Sequence, residues 1–154
     1  MTAPWNPGRG KIDEMLRARD LEQLTGEAAD GEFHLDRADT AVASAEALAG
    51  TDPSSSLTLA YDAYRTGLGA LLAHQGLRVT TAGGHVAYGA ATRAQFPGHF
   101  DEFDHLRRMR HVTEYPRSPT DTDVTVSEAR EACAMAREAC EAARKLLPHL
   151  GLWR

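Results

Sequence analysis

Leu57–Leu72 reads LTLAYDAYRTGLGALL. Leu57, Tyr61, Tyr64, Leu68 and Leu71 step by 4, 3, 4 and 3, the spacing of one buried stripe on an α-helix. Asp52-Pro53 lies just upstream. An Asp side chain can cap free backbone N–H groups, and Pro loses nothing at the first helical position. Gly76 is a natural C-terminal stop. Gly67 and Gly69 sit inside the helix, each lowering helix propensity by about 1 kcal/mol relative to Ala. Their presence predicts that neighbouring helices approach closely there.

Shorter versions of the same pattern flank this helix. Ile12, Met15, Leu16, Leu21 and Leu24 predict a first helix, continuous or broken near Asp20. Phe33, Leu35, Ala38, Val42, Ala45 and Leu48 predict a second, closed by Gly50. Arg78–Gly84 is a connection, and an Ala-rich helix is expected over His85–Phe96. Pro97-Gly98 breaks it. A fifth helix is expected from about His99 to Glu114, anchored by Phe100, Phe103 and Leu106, and Pro116 ends it. Thr125 with Glu128 forms a capping box for a last helix carrying Ala129, Ala132, Ala136, Cys140, Ala143 and Leu147. No internal repeat occurs, and Leu77–Thr81 is the one marginal strand. The expectation is an all-α, compact up-and-down bundle of about five or six helices. Residues 1–10, with Pro4, Pro7, Gly8 and Gly10, read as a flexible N-terminal arm, and 11–150 as one domain.

Composition narrows the function. The chain has 154 residues, enough for one domain with a real core. Lys and Arg number 17 against 22 Asp and Glu, a net charge of −5, which disfavours coating duplex nucleic acid by bulk charge. A local basic patch survives that test. No apolar run approaches the roughly 20 residues that span a bilayer, so no membrane partner is expected. No secretory signal is seen, and the protein is expected in the cytoplasm. Cys133 and Cys140 are seven residues apart on a predicted helix. At ~1.5 Å per residue that is about 10 Å, beyond the roughly 7 Å a disulfide tolerates. Both are expected as small, reduced core residues.

The densest polar cluster is His105–Tyr115, HLRRMRHVTEY. Phe103, Leu106 and Arg110 fall at i, i+3 and i+7, so Arg110 continues the inward stripe and needs a partner or a cavity. Arg107 flanks that face. Cations at a helix C-terminus also complement its dipole, a purely structural role.

Arg110-His111-Val112-Thr113-Glu114-Tyr115-Pro116 resembles the signature region of the HEPN superfamily, compact helical domains that include many ribonucleases of toxin–antitoxin and defence systems. Tyr61-Asp62-Ala63, Leu71-Leu72, Gly76-Leu77-Arg78 and Gly84-His85 are similar to a pattern in bacterial members, and the resemblance spans roughly Ile12 to Leu147. It implies a homodimer with the site across its interface, RNA as substrate, and an antitoxin or nucleotidyltransferase as partner. It also implies cleavage without metal or other cofactor. In that chemistry the 2′-hydroxyl attacks the adjacent phosphorus, a His moves the proton, and an Arg steadies the developing charge. On this sequence Arg110 takes the phosphate, with Arg107 assisting. His111 and Tyr115 are the acid/base or orienting groups, and Arg108, Arg78 and His85 are the expected substrate-binding residues. The family motif places His four to six residues after its Arg. Here Tyr115 stands five after Arg110. A Tyr near pKa 10 is a poor base at pH 7, though it donates a hydrogen bond. His111 lies one position on, about 100° around the helix from Arg110; a symmetric dimer would bring it to the other copy's Arg110.

Two readings stand: an RNA-cleaving enzyme built on Arg110, and a non-catalytic module that binds RNA, a nucleotide or a partner protein. A third, weaker one has Asp101 and His105, at i and i+4, gripping a metal with His99. Glu102–His105 supplies a single Glu-x-x-His, where a di-iron bundle needs two. His85 is also read as a buried, hydrogen-bonded residue at a helix start, and Tyr61 and Tyr64 as core or interface.

Overall fold

The computed structural model describes residues 2–154. Among them are six α-helices and one pair of very short strands. In chain order these are α1 (Arg9–Arg17), β1 (Leu21–Gln23), α2 (Gly31–Leu48), α3 (Pro53–His74), β2 (Leu77–Val79), α4 (Gly84–Gln95), α5 (Phe103–Glu114) and α6 (Val126–Leu146). The protein is a compact all-α bundle, and no helix among the described residues is long and apolar enough to cross a membrane.

The central helix is α3. Asp52 accepts from the Ser55 N–H at 3.2 Å and Pro53 is its first residue. Its stripe is fully buried from Leu57 to Leu72. Helices α2 and α6 pack along it, while α4 and α5 meet it elsewhere on its surface. A Cβ at Gly67 would sit 3.6 Å from Cys140 Sγ, and one at Gly69 would sit 3.3 Å from a Tyr88 ring carbon. The expected close approach is met at Gly69, against α4, whereas at Gly67 a Cβ would make only ordinary contact with α6. Cys133 and Cys140 are both buried and unpaired, on the face of α6 against α3. The Thr125–Glu128 capping box forms at the start of α6.

Three expectations shift. The first helix stops at Arg17. Arg19 adopts a left-handed conformation (φ 63°), which an α-helix cannot continue. Thr80 pins that turn, its hydroxyl donating to Arg19 O at 2.6 Å. Leu21, spaced as if helical, instead begins β1, which pairs antiparallel with Leu77–Val79. The fifth helix starts at Phe103 rather than His99, after a turn in which Gly98 has φ 84° and Phe100 is buried. The expected arm lies against the body. Trp5 Nε1 donates to Gln95 O at 2.9 Å and its ring packs on Phe96, and α1 begins at Arg9, inside the range read as arm. Met1, also assigned to the arm, lies outside the described residues.

A buried amide pair ties these parts together. Gln75 and Gln95 exchange side-chain hydrogen bonds at 3.1 and 2.7 Å. The Gln75 carbonyl accepts from the Trp153 N–H at 2.8 Å. Aromatic packing sets α5 against α3. Phe103 stacks on Tyr61 with ring centroids 5.6 Å apart and lies 5.5 Å from Tyr64. Truncating such a buried ring to Ala costs about 3–5 kcal/mol. Phe103 thereby fixes where Arg107 and Arg110, one and two turns further on, stand relative to α3.

Candidate functional site

Tyr61 is completely buried, yet its hydroxyl reaches the edge of the core and lies 2.8 Å from His85 Nδ1. His85 is the second residue of α4 and is exposed rather than buried. The expectation of a hydrogen bond at this helix start is met; the expectation of burial is not, because α4 begins at the rim of α3. Burial raises the Tyr61 phenol to about 12, with Arg65, Arg110 and Arg107 opposing the rise. The phenol is therefore protonated at every physiological pH. The His85 imidazole is held below its ordinary value, first by partial desolvation and then by Arg65 and Arg110, with Asp62 pulling the other way. His85 is accordingly neutral at pH 7.

Three guanidinium groups surround this pair. Arg110 Cζ lies 5.5 Å from the centroid of the Tyr61 ring, a cation–π contact on a half-buried side chain. Arg110 also pairs with Glu114 at i+4. Arg107 stands 3.7 Å from Asp104, too long for a hydrogen bond, and Asp104 receives a 2.6 Å hydrogen bond from Arg93 of α4. Arg65 of α3 lies 3.6 Å from Asp62 and 5.7 Å over the Tyr88 ring. The Nε atoms of Arg65, Arg107 and Arg110 are all buried without a hydrogen-bond acceptor, and Asp104 Oδ1, 3.7 Å from Arg107 Nε, is likewise buried and unpaired. An unsatisfied buried donor is costly, about 1–3 kcal/mol and more when charged. Three of them around one imidazole make an arrangement that an anionic oxygen relieves.

Arg110, Arg107 and His85 therefore come together. The other expected residues do not join them. His111 and Tyr115 stack on each other, ring centroids 5.0 Å apart, on the exposed end of α5. Among the described residues no hydrogen bond, ion pair or ring contact links either to Arg110. Arg108 is exposed and faces the Val124 side of α5. Arg78 lies on β2, where its Nε donates to Glu22 at 2.8 Å. Helical geometry explains the split. Residues 107 and 110 share a face and 108 is rotated by about 100° or more from both, whereas His111 lies only about 40° from Arg107 but on the side away from Arg110, where it is exposed.

Sequence reasoning did not single out Arg65, Tyr88 or Asp104, and it read Tyr61 as core or interface. The signal for Arg65 was present. Tyr61, Arg65 and Gly69 form one i, i+4 row beside the apolar stripe. Asp101, His105 and His99 do not assemble. Among the described residues no group of three or more His, Cys, Asp or Glu is placed to hold a metal ion.

No family model, curated protein or solved structure matches the chain.

Proposed function

We propose that this is a HEPN-like protein of toxin or defence type that engages RNA phosphate at the Arg107–Arg110 face of α5 and cleaves RNA without metal. The observation that carries the reading is the set of three buried, unsatisfied arginine donors around the Tyr61–His85 pair. A phosphodiester oxygen accepts from such donors, and Arg suits it by geometry as well as charge. His85 takes the role the motif gives to histidine. In the tautomer whose Nδ1–H donates to Tyr61 Oη, Nε2 keeps a free lone pair and accepts the proton of the 2′-hydroxyl. The 2′-oxygen then bonds to phosphorus, the bond to the 5′-oxygen breaks, and a 2′,3′-cyclic phosphate remains. Arg110 and Arg107 meet the charge that builds on the phosphorane oxygens. His111 of a second copy protonates the leaving 5′-oxygen. Val112 and Tyr115, both exposed near the end of α5, supply apolar surface for that homodimer.

A second reading has its own support. Glu114 already occupies Arg110, and Tyr115 stands where the motif has histidine. Both suit a non-catalytic cytoplasmic module that binds RNA, a nucleotide, or an antitoxin or nucleotidyltransferase partner. Incubation with labelled single-stranded and structured RNA in EDTA separates the two. Products ending in cyclic phosphate support the enzyme. RNA that is retarded on a gel but intact supports the module. RNA neither bound nor cut, with or without divalent metal, overturns the RNA reading.

A further inference from the structure

Away from Arg110, a cavity of about 270 Å³ opens between α2, α3, α4 and β2. Its floor is apolar and includes Leu72, Leu77 and Val79. Three arginines and a histidine line it: Arg37, Arg65, Arg78 and His34. No lining residue is Asp or Glu, in a chain whose net charge is −5. Arg37 is exposed and has no ion-pair or hydrogen-bond partner among the described residues. Arg78 is shared with Glu22 and Arg65 faces Asp62 at 3.6 Å, but the Arg65 Nε is buried without an acceptor. Arg37 is thus left without a counter-charge at the rim, and the Arg65 Nε without an acceptor beside it. A bound anion supplies both.

We infer that this cavity binds a small phosphate monoester carrying a flat organic body, of the size of a nucleoside monophosphate. The number of guanidinium donors selects the head group. A carboxylate is satisfied by one bidentate arginine, whereas a phosphate monoester carries about −1.5 to −2 charges at pH 7 and three acceptor oxygens, matching several cations at once. The apolar floor and the Tyr88 ring, which Arg65 overlies, select an organic body rather than a free ion. The volume lies just under the ~300–1,000 Å³ range of typical ligand sites, which limits the occupant to a single small molecule. The inference stands whether or not RNA is cut at Arg110, because Arg37 and Arg78 take no part in that site. The two sites touch through Arg65, so an occupant here also offsets one of the charges that hold the His85 imidazole down.

The test is NMR titration of the full chain with adenosine monophosphate, and separately with inorganic phosphate. Saturable shifts are expected at Leu72, Leu77, Val79 and Tyr88. Arg37→Glu, on an exposed side chain whose loss leaves no partner stranded, should keep the melting temperature. It should weaken binding at least roughly tenfold, the loss of one charge-assisted hydrogen bond. Inorganic phosphate should bind more weakly by a similar factor. Four results would each overturn the inference: no saturable shift at millimolar ligand, shifts centred on Arg110 and His111 instead, binding undiminished by Arg37→Glu, or inorganic phosphate binding as tightly as the monoester.

Discussion

The Tyr61 hydroxyl sits 2.8 Å from His85 Nδ1, and Arg110 lies over the face of the same Tyr61 ring. One buried phenol therefore positions both the imidazole and the guanidinium on which the proposed chemistry depends. Its ring is fixed in turn by Phe103, so the core and the site share a wall.

Tyr61→Phe removes the hydroxyl and keeps the ring. The packing against Phe103 should survive, and stability should fall by only about 1 kcal/mol, the net value of one hydrogen bond. RNA cleavage should fall about 10- to 100-fold, the size of effect seen when a group orienting a functional His is lost. Thermal unfolding and initial rates measured on the same preparation check both halves.

His85 should titrate below the ordinary histidine range, which a histidine-selective NMR titration reads directly. Arg65→Gln and Arg110→Gln should each move its midpoint upward by removing a repelling charge. The folded state holds His85 neutral, so between its depressed pKa and about 6.5 the unfolded chain binds more protons. The His85 contribution to stability is thus present above that window and lost as pH falls through it. His85→Gln should flatten this part of the stability profile.

Gln95→Leu should destabilise the fold by about 1–3 kcal/mol, because the buried Gln75 amide loses its partner. The Gln75→Leu, Gln95→Leu double variant should recover part of that loss, since both polar groups then leave together. Chemical denaturation of the three variants measures the coupling.

Burial raises the Cys140 thiol to about 12, and Cys133 is also buried, with Sγ 3.4 Å from Ser56 Oγ. Neither should react with a thiol reagent at pH 8 in the native protein, and two equivalents should react on unfolding. A colorimetric thiol titration with and without denaturant checks this.

Much of the fold was legible in the sequence because its central elements carry strong local signals. The α3 stripe, the Asp52–Pro53 start, the Thr125–Glu128 box and the close approach at Gly69 all rest on spacing and on single-residue chemistry. What was not legible depends on distant partners. Leu21 and Leu24 have helical spacing, and only Thr80 and β2, some sixty residues away, make that stretch extended. The Gln75–Gln95 pair has no sequence signature at all. The site shows the same division. Arg107 and Arg110 follow from helix phase, and His85 was among the expected substrate-binding residues. The joining of His85 to Arg110 through Tyr61, and the entry of Arg65 from α3, required the packing of three helices.

The most direct measurement compares wild type, Arg110→Ala and His85→Ala in EDTA on a defined RNA, with product ends identified by mass spectrometry and the fold of each variant checked. Wild type should give 2′,3′-cyclic phosphate ends. Arg110→Ala should lose about 10²–10³-fold in rate, the scale for removing one donor to a charged transition state, and His85→Ala a similar amount. Wild-type protein that leaves the RNA intact, or an Arg110→Ala variant that cuts as fast as wild type, would rule out metal-free cleavage at Arg110.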